Sequence, residues 1–159
     1  MEPPRFAADV MVGKLARWLR ILGYDTFYSN RAEDPYLKSL CRSEDRILLT
    51  KDRELCRQLG NTRGYLVESV HFQDQLTEVF HGFGLGRFEL QPRCSRCNGA
   101  LLSIERARVE NRVPPYVFLT QKVFSICKVC GKIYWQGTHL ARIRRFAALI
   151  QSGFGNRPS

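Results

Sequence analysis

Four of the six cysteines stand as two C-x2-C pairs, Cys94/Cys97 and Cys127/Cys130, with 29 residues between the pairs. This feature constrains the chain most, because paired knuckles at such spacing bring four sulfurs to one point without a large apolar core. In a sequence with no secretory signal they read as metal ligands rather than disulfides. Each knuckle has a glycine close behind it, Gly99 and Gly131. A glycine there is expected to take a positive φ and let neighbouring amides turn toward thiolate sulfur. Four thiolates complete a tetrahedral shell and leave no open position, so the expected ion is one structural Zn2+ per chain, with an iron–sulfur centre as the alternative. Cys41 and Cys56 lie alone in helix-like segments and are expected to be small buried hydrophobes.

Charge divides at the same place. Residues 1–90 carry 13 Lys/Arg and 13 Asp/Glu, whereas residues 91–159 carry 12 Lys/Arg against only Glu105 and Glu110. The whole net charge of +10 therefore belongs to the C-terminal part. That asymmetry points to a polyanionic partner, nucleic acid ahead of membrane; a merely soluble basic surface is the competing explanation. The chain is 44% hydrophobic and 25% charged, which excludes wholesale disorder. No apolar run approaches the roughly 20 residues of a membrane span. No signal peptide is recognisable, so the expected address is intracellular, cytoplasmic if prokaryotic.

Residues 1–90 alternate short apolar runs with amphipathic segments. Strands are expected at 5–10, 24–28, 46–50 and 65–67, and helices at 13–23, 34–41, 52–59 and 74–83. Leu15, Trp18, Leu19 and Leu22 give the first helix a core face, which puts Lys14, Arg17 and Arg20 on another. Gly23 and Gly60 close two of the helices. The pattern is that of an α/β domain with a parallel sheet flanked by helices. From Gln91-Pro92-Arg93 onward, residues 91–159 are read as a small zinc ribbon followed by a basic helix. Within it Val113–Phe118 and Ile133–Trp135 read as strands. Leu140–Ile150 reads as the helix, its stripe of Leu140, Ile143, Ala147 and Ile150 packed on the body. The Gly/Pro/Ser/Asn-rich tail from Ser152 is expected to fray.

Ligand sites in parallel α/β sheets lie beyond the carboxyl ends of the strands. Asp9 ends the first strand, Asp52 follows the third, and Asp34 opens the helix after the second. Acids gathered on one edge repel unless a divalent cation neutralises them, and Mg2+ or Mn2+ suits such oxygen ligands. That chemistry is metal-assisted phosphodiester hydrolysis. Each acid also has a structural explanation: Asp34 and Asp52 as helix N-caps, Asp9 as a strand end. Lys14 and Arg17 are placed to meet phosphates near the first helix. Lys128 and Lys132 on the second knuckle, and Arg142 and Arg145 on the last helix, extend the candidate RNA-binding set. Trp135 offers a stacking face, and His139 a polar contact rather than a fifth metal ligand.

The run from Asp9 to Asp25, the segment Ile47-Leu48-Leu49-Thr50-Lys51-Asp52-Arg53 and the stretch from Cys127 to His139 together resemble the Mut-seven C-terminal domain family over about residues 5–148. The resemblance implies a PIN-like ribonuclease fold with a zinc ribbon, binding of RNA, expected to be single-stranded, and metal-dependent RNA cleavage. Asp9 and Asp52 match positions where PIN-like proteins keep metal-binding acids, with Asp34 as the third. The usual fourth acid has no clear equivalent, Glu68 and Asp74 being the nearest candidates. The alternative implied by the same family is a non-catalytic RNA-binding module that presents RNA to a separate exoribonuclease.

Overall fold

The structure, a computed structural model, describes residues 1–153. Four short strands, β1 (Phe6–Ala8), β2 (Thr26–Tyr28), β3 (Ile47–Thr50) and β4 (Gly64–Leu66), form a parallel sheet in the order β2-β1-β3-β4. Phe6 lies opposite both Thr26 and Ile47, and Leu48 opposite Gly64. Helices make the crossovers, as parallel pairing requires: α1 (Gly13–Ile21), α2 (Asp34–Ser43) and α3 (Arg53–Leu59). A fourth, α4 (Phe72–Phe83), follows β4.

Strand alternation feeds two cores. Phe6, Ala8 and Leu49 pack with Leu15 and Leu19 of α1 and Leu76 and Val79 of α4. Ala7 and Leu48 point to the opposite face, against Leu37 and Cys41 of α2 and Leu55 and Leu59 of α3. Burial holds the Cys41 thiol up at about 11, in keeping with its expected role as a small hydrophobe. Cys56 is only half-buried. Gly23 (φ +99°) and Gly60 (φ +76°) stop their helices as expected.

The C-terminal half is built differently. Strands β5 (Leu101–Ile104), β6 (Phe124–Cys127) and β7 (Ile133–Trp135) form a three-stranded antiparallel sheet in that order. Val113–Phe118 is no strand: Pro115–Thr120 forms a short helix, α5, with proline in its first turn. A preset proline φ starts a helix readily, and none of the six residues is buried, so no sheet partner competes for them. The last helix, α6 (Thr138–Gln151), returns to the α/β half. Its Ala147 and Ile150 join the same core as Phe6 and Leu15. Most of the tail expected to fray lies outside the described residues.

One cation of α1, expected on a face other than the core face, is buried. Arg20 is 4% exposed, and its guanidinium donates to the carbonyls of Thr26 (2.7 Å), Ser95 (3.1 Å) and Arg96 (3.3 Å). It thereby ties β2 to the first cysteine knuckle. Asn98 works from the other side, accepting from Thr26 N and donating to Asp25 Oδ1 at 2.8 Å. Asp25 also pairs with Arg46 at 2.7 Å and Arg5 at 3.1 Å. Burial alone would raise the Asp25 carboxyl, but the bonds from Arg46, Asn98 and Arg5 outweigh it and hold the group at about 2.

Candidate functional site

The four knuckle cysteines converge, all four sulfurs lying within 4.8 Å of one another. Cys94 Sγ is 3.6 Å from Cys130 Sγ, and Cys97 Sγ 3.4 Å from Cys127 Sγ. These separations are too long for disulfides and close to the roughly 3.8 Å edge of a tetrahedron with about 2.3 Å Zn–S bonds. The electrostatics fit a cation as well. Burial alone would raise the Cys94 thiol, but hydrogen bonds from Tyr134 and from the backbone of Cys97 and Arg96 bring it down to about 6. Burial and the neighbouring sulfurs push Cys97 up to about 12. Four thiolates this close require a divalent ion to ionise together, so the set fits zinc with Cys94, Cys97, Cys127 and Cys130 as its ligands.

The surroundings orient those sulfurs. Val129 N and Cys130 N both donate to Cys127 Sγ at 3.4 Å, the amide arrangement expected of the knuckle. The Tyr134 hydroxyl lies 2.9 Å from Cys94 Sγ and accepts from Ser95 N at 3.1 Å. Gly131 takes the positive φ (+75°), but in the first knuckle Asn98 takes it instead (+70°). Gly99 has another purpose: a Cβ there would come within 2.8 Å of Cys127 Sγ.

The three acids are treated unequally. Asp9 and Asp52 follow β1 and β3, the adjacent strands at which the sheet order reverses, and both engage Thr50. The Thr50 hydroxyl donates to Asp9 Oδ2 and accepts from Asp52 N at 3.0 Å. Asp9 is 7% exposed and also accepts from Met11 N at 2.9 Å, while Asp52 caps α3 by accepting from Leu55 N at 3.0 Å. Asp34 is exposed in the first turn of α2; the N-cap is Glu33, and no side chain caps that helix. Among the described residues the cysteine quartet is the one group of three or more His, Cys, Asp or Glu side chains gathered closely enough to hold a metal ion, and the three acids do not form another. Lys51, between Thr50 and Asp52, spends its ammonium on the carbonyls of Val67 (3.2 Å) and Ser69 (2.8 Å).

A cleft of about 530 Å3 opens between α1, the face of the β5-β6-β7 sheet and the start of α6. Of the candidate RNA-binding residues, Arg17, Lys132, Trp135 and His139 line it. Lys14, Lys128, Arg142 and Arg145 do not; Lys14 instead sits 4.7 Å over the Phe72 ring. Arg93 and Arg144, which the sequence did not single out, complete its cationic wall. Arg144 was hidden in the run Arg142-Ile143-Arg144-Arg145, where only the helix's docking on α1 and α4 decides which arginine faces the cleft. Among the described residues no carboxylate lines the cleft.

A parallel α/β sheet with acids at its switch point, joined to a four-cysteine metal module and a cationic cleft, defines a class of protein suited to handling nucleic acid. Within that class, the family model of the Mut7-C RNAse domain matches residues 4–147, nearly the whole chain, and the chain belongs to that family. No curated protein and no solved structure matches it at a significant level. No helix among the described residues is long and apolar enough to cross a membrane.

Proposed function

We propose that the chain is a PIN-like ribonuclease that binds single-stranded RNA and hydrolyses its phosphodiester bonds with Mg2+ or Mn2+. The observation that carries this reading is the pairing of Asp9 and Asp52 around Thr50, at the point where the strand order reverses. That is where an α/β sheet presents its ligand crevice. Thr50 orients both residues: it fixes one Asp9 oxygen by its hydroxyl and the Asp52 backbone by its lone pair. The Asp9 oxygen bonded to Thr50 and the Asp52 oxygen bonded to Leu55 N each keep a further lone pair for a cation. Asp9 and Asp52 would hold the ion, with Asp34 reaching in from the rim of α2. When bound, the ion activates water and offsets charge on the phosphate. The zinc module fixes the fold of the C-terminal half and has no open position for chemistry.

A second reading, an RNA-holding module without cleavage, is favoured by the exposure of Asp34 and by the three acids' not gathering into a metal-ligand group among the described residues. The two are separated by incubating single-stranded RNA with wild type, Asp9→Asn and Asp52→Asn in Mn2+. The nuclease reading expects cleavage by wild type and at least a 100-fold loss in each variant. Binding without cleavage by wild type selects the holding module. Cleavage that survives both substitutions contradicts the assignment of the acids.

A further inference from the structure

The strongest unassigned feature is the cleft beside the zinc module, and its walls differ in kind. Ser103, Ser125 and Tyr134 lie in register across β5, β6 and β7, so they share the sheet face that forms its floor. Trp135 and His139 stand at the turn into α6, the imidazole 6.3 Å edge-on from the Trp18 ring. Arg17 and Arg144 approach from α1 and α6, and both are exposed.

Three of the cations there, Arg17, Lys132 and Arg144, are uncommitted, while Arg93 donates Nη1 to the Asn98 carbonyl at 3.1 Å. Among the described residues all ion pairs join groups of the α/β half, the last in sequence being Arg63 with Asp45. Neither Arg17 nor Arg144 pairs with a carboxylate. Lys132 rests 5.1 Å over the Tyr134 ring, which leaves its ammonium open to an anion. A concave site with several unpaired cations, aromatic faces, hydroxyls and no carboxylate has the donors a nucleotide needs. Guanidinium forks meet phosphate, rings stack with a base, and serines bond sugar or base edges.

Resting on the RNA reading above, we infer that this cleft is a seat for one or two successive nucleotides of single-stranded RNA, separate from the Asp9/Asp52 edge. Its volume falls within the roughly 300–1,000 Å3 range of small-ligand pockets, enough for one or two splayed nucleotides, and single-stranded RNA is the form whose bases can be splayed and stacked on aromatic rings. Arg17 and Lys14 lie one turn apart on α1, whose N-terminus follows Asp9. A strand leaving the cleft along that helix therefore runs toward the acid edge.

The test uses the full, zinc-loaded chain without added Mg2+ or Mn2+, so that binding is read apart from cleavage. The chain has two tryptophans, and Trp18→Phe leaves Trp135 as the sole indole reporter. Triuridylate is expected to quench Trp135 emission over the same concentrations at which labelled hexauridylate gains anisotropy. Arg144→Glu and Arg17→Glu should each weaken hexauridylate about tenfold or more, whereas Arg142→Glu and Arg145→Glu should cost threefold or less. A duplex of equal length should bind at least tenfold more weakly.

RNA binding with Trp135 silent, or equal losses from Arg142, Arg144 and Arg145, would overturn the cleft while leaving RNA binding intact. Uridine monophosphate binding as tightly as the trinucleotide would overturn the strand assignment in favour of a free nucleotide. Failure of the folded wild type to bind any of these would remove the RNA reading itself. The anisotropy series stands even if Trp18→Phe does not fold.

Discussion

The two halves of the molecule solve the same problem of holding a small domain together by opposite means. The α/β half has two apolar cores, one on each face of the sheet, and pairs its charges internally, as in Asp25 with Arg46 and Arg5. The C-terminal half buries few large side chains, centres on four sulfurs and pairs none of its cations with an acid among the described residues. Self-paired charge serves the fold of the first half. Unpaired charge costs the second half cohesion, which a metal can offset, and leaves a surface ready for phosphate. The halves are nevertheless interlocked, because α6 puts Ala147 and Ile150 into the first half's core. Cutting the chain before Gln91 would remove that helix, so substitutions are better than truncation for separating the two.

The comparison breaks most visibly at the metal. Zinc analysis of purified protein should find about one ion per chain, and Cys127→Ser should forfeit most of a binding energy that for structural zinc runs to about 10 kcal/mol or more. Hydrogen exchange should then show protection lost in β5, β6 and β7 and largely kept in β1 to β4. Equal loss in both sheets would mean that the α/β half has no stability of its own.

The next largest effect belongs to the seam. Arg20→Met removes the donors that serve the Thr26, Ser95 and Arg96 carbonyls and leaves those acceptors partly unmet. A loss of about 2–4 kcal/mol in denaturant unfolding is expected. Arg17→Met, three residues earlier and exposed, should change stability by about 0.5 kcal/mol or less. Similar losses at both positions would deny Arg20 its joining role.

Much of this was legible in the sequence, and the limits are instructive. Alternation and glycine stops located all four parallel strands and their helices because those signals are local. The cysteine spacing located the metal set for the same reason. Arg20 reads like any basic residue of an amphipathic helix; its burial depends on a knuckle 75 residues away that places carbonyls over it. Strands β5 and β6 leave no clear signal in the sequence, and Val113–Phe118 has the pattern of a strand although it enters a helix, because short apolar runs carry too little period to separate helix from strand. The pattern of acids carries no sign of their inequality: Thr50 bonds Asp9 and the Asp52 backbone, whereas Asp34, one residue past the N-cap, is exposed.

A smaller effect comes from pH. The Asp25 carboxyl lies at about 2 in the folded protein, below its unfolded value near 3.9, through the bonds that overcome its burial. A depressed carboxyl stabilises the fold above the unfolded value and loses that contribution as pH falls from about 4 to about 2, worth about 2 kcal/mol in all. Asp25→Asn should flatten unfolding stability across that window. An unchanged slope would show that the seam does not depend on this charge.

The central claim is that the cleft between α1 and the C-terminal half holds RNA while the edge of the α/β sheet cuts it. It is tested most directly by measuring hexauridylate affinity and the Mn2+-dependent cleavage rate at saturating RNA for Asp52→Asn and Arg144→Glu side by side. The account predicts a rate at least 100-fold lower with affinity within about threefold for Asp52→Asn, and the reverse pattern for Arg144→Glu. Equal weakening of binding by both substitutions, or loss of the saturated rate in Arg144→Glu, would contradict it.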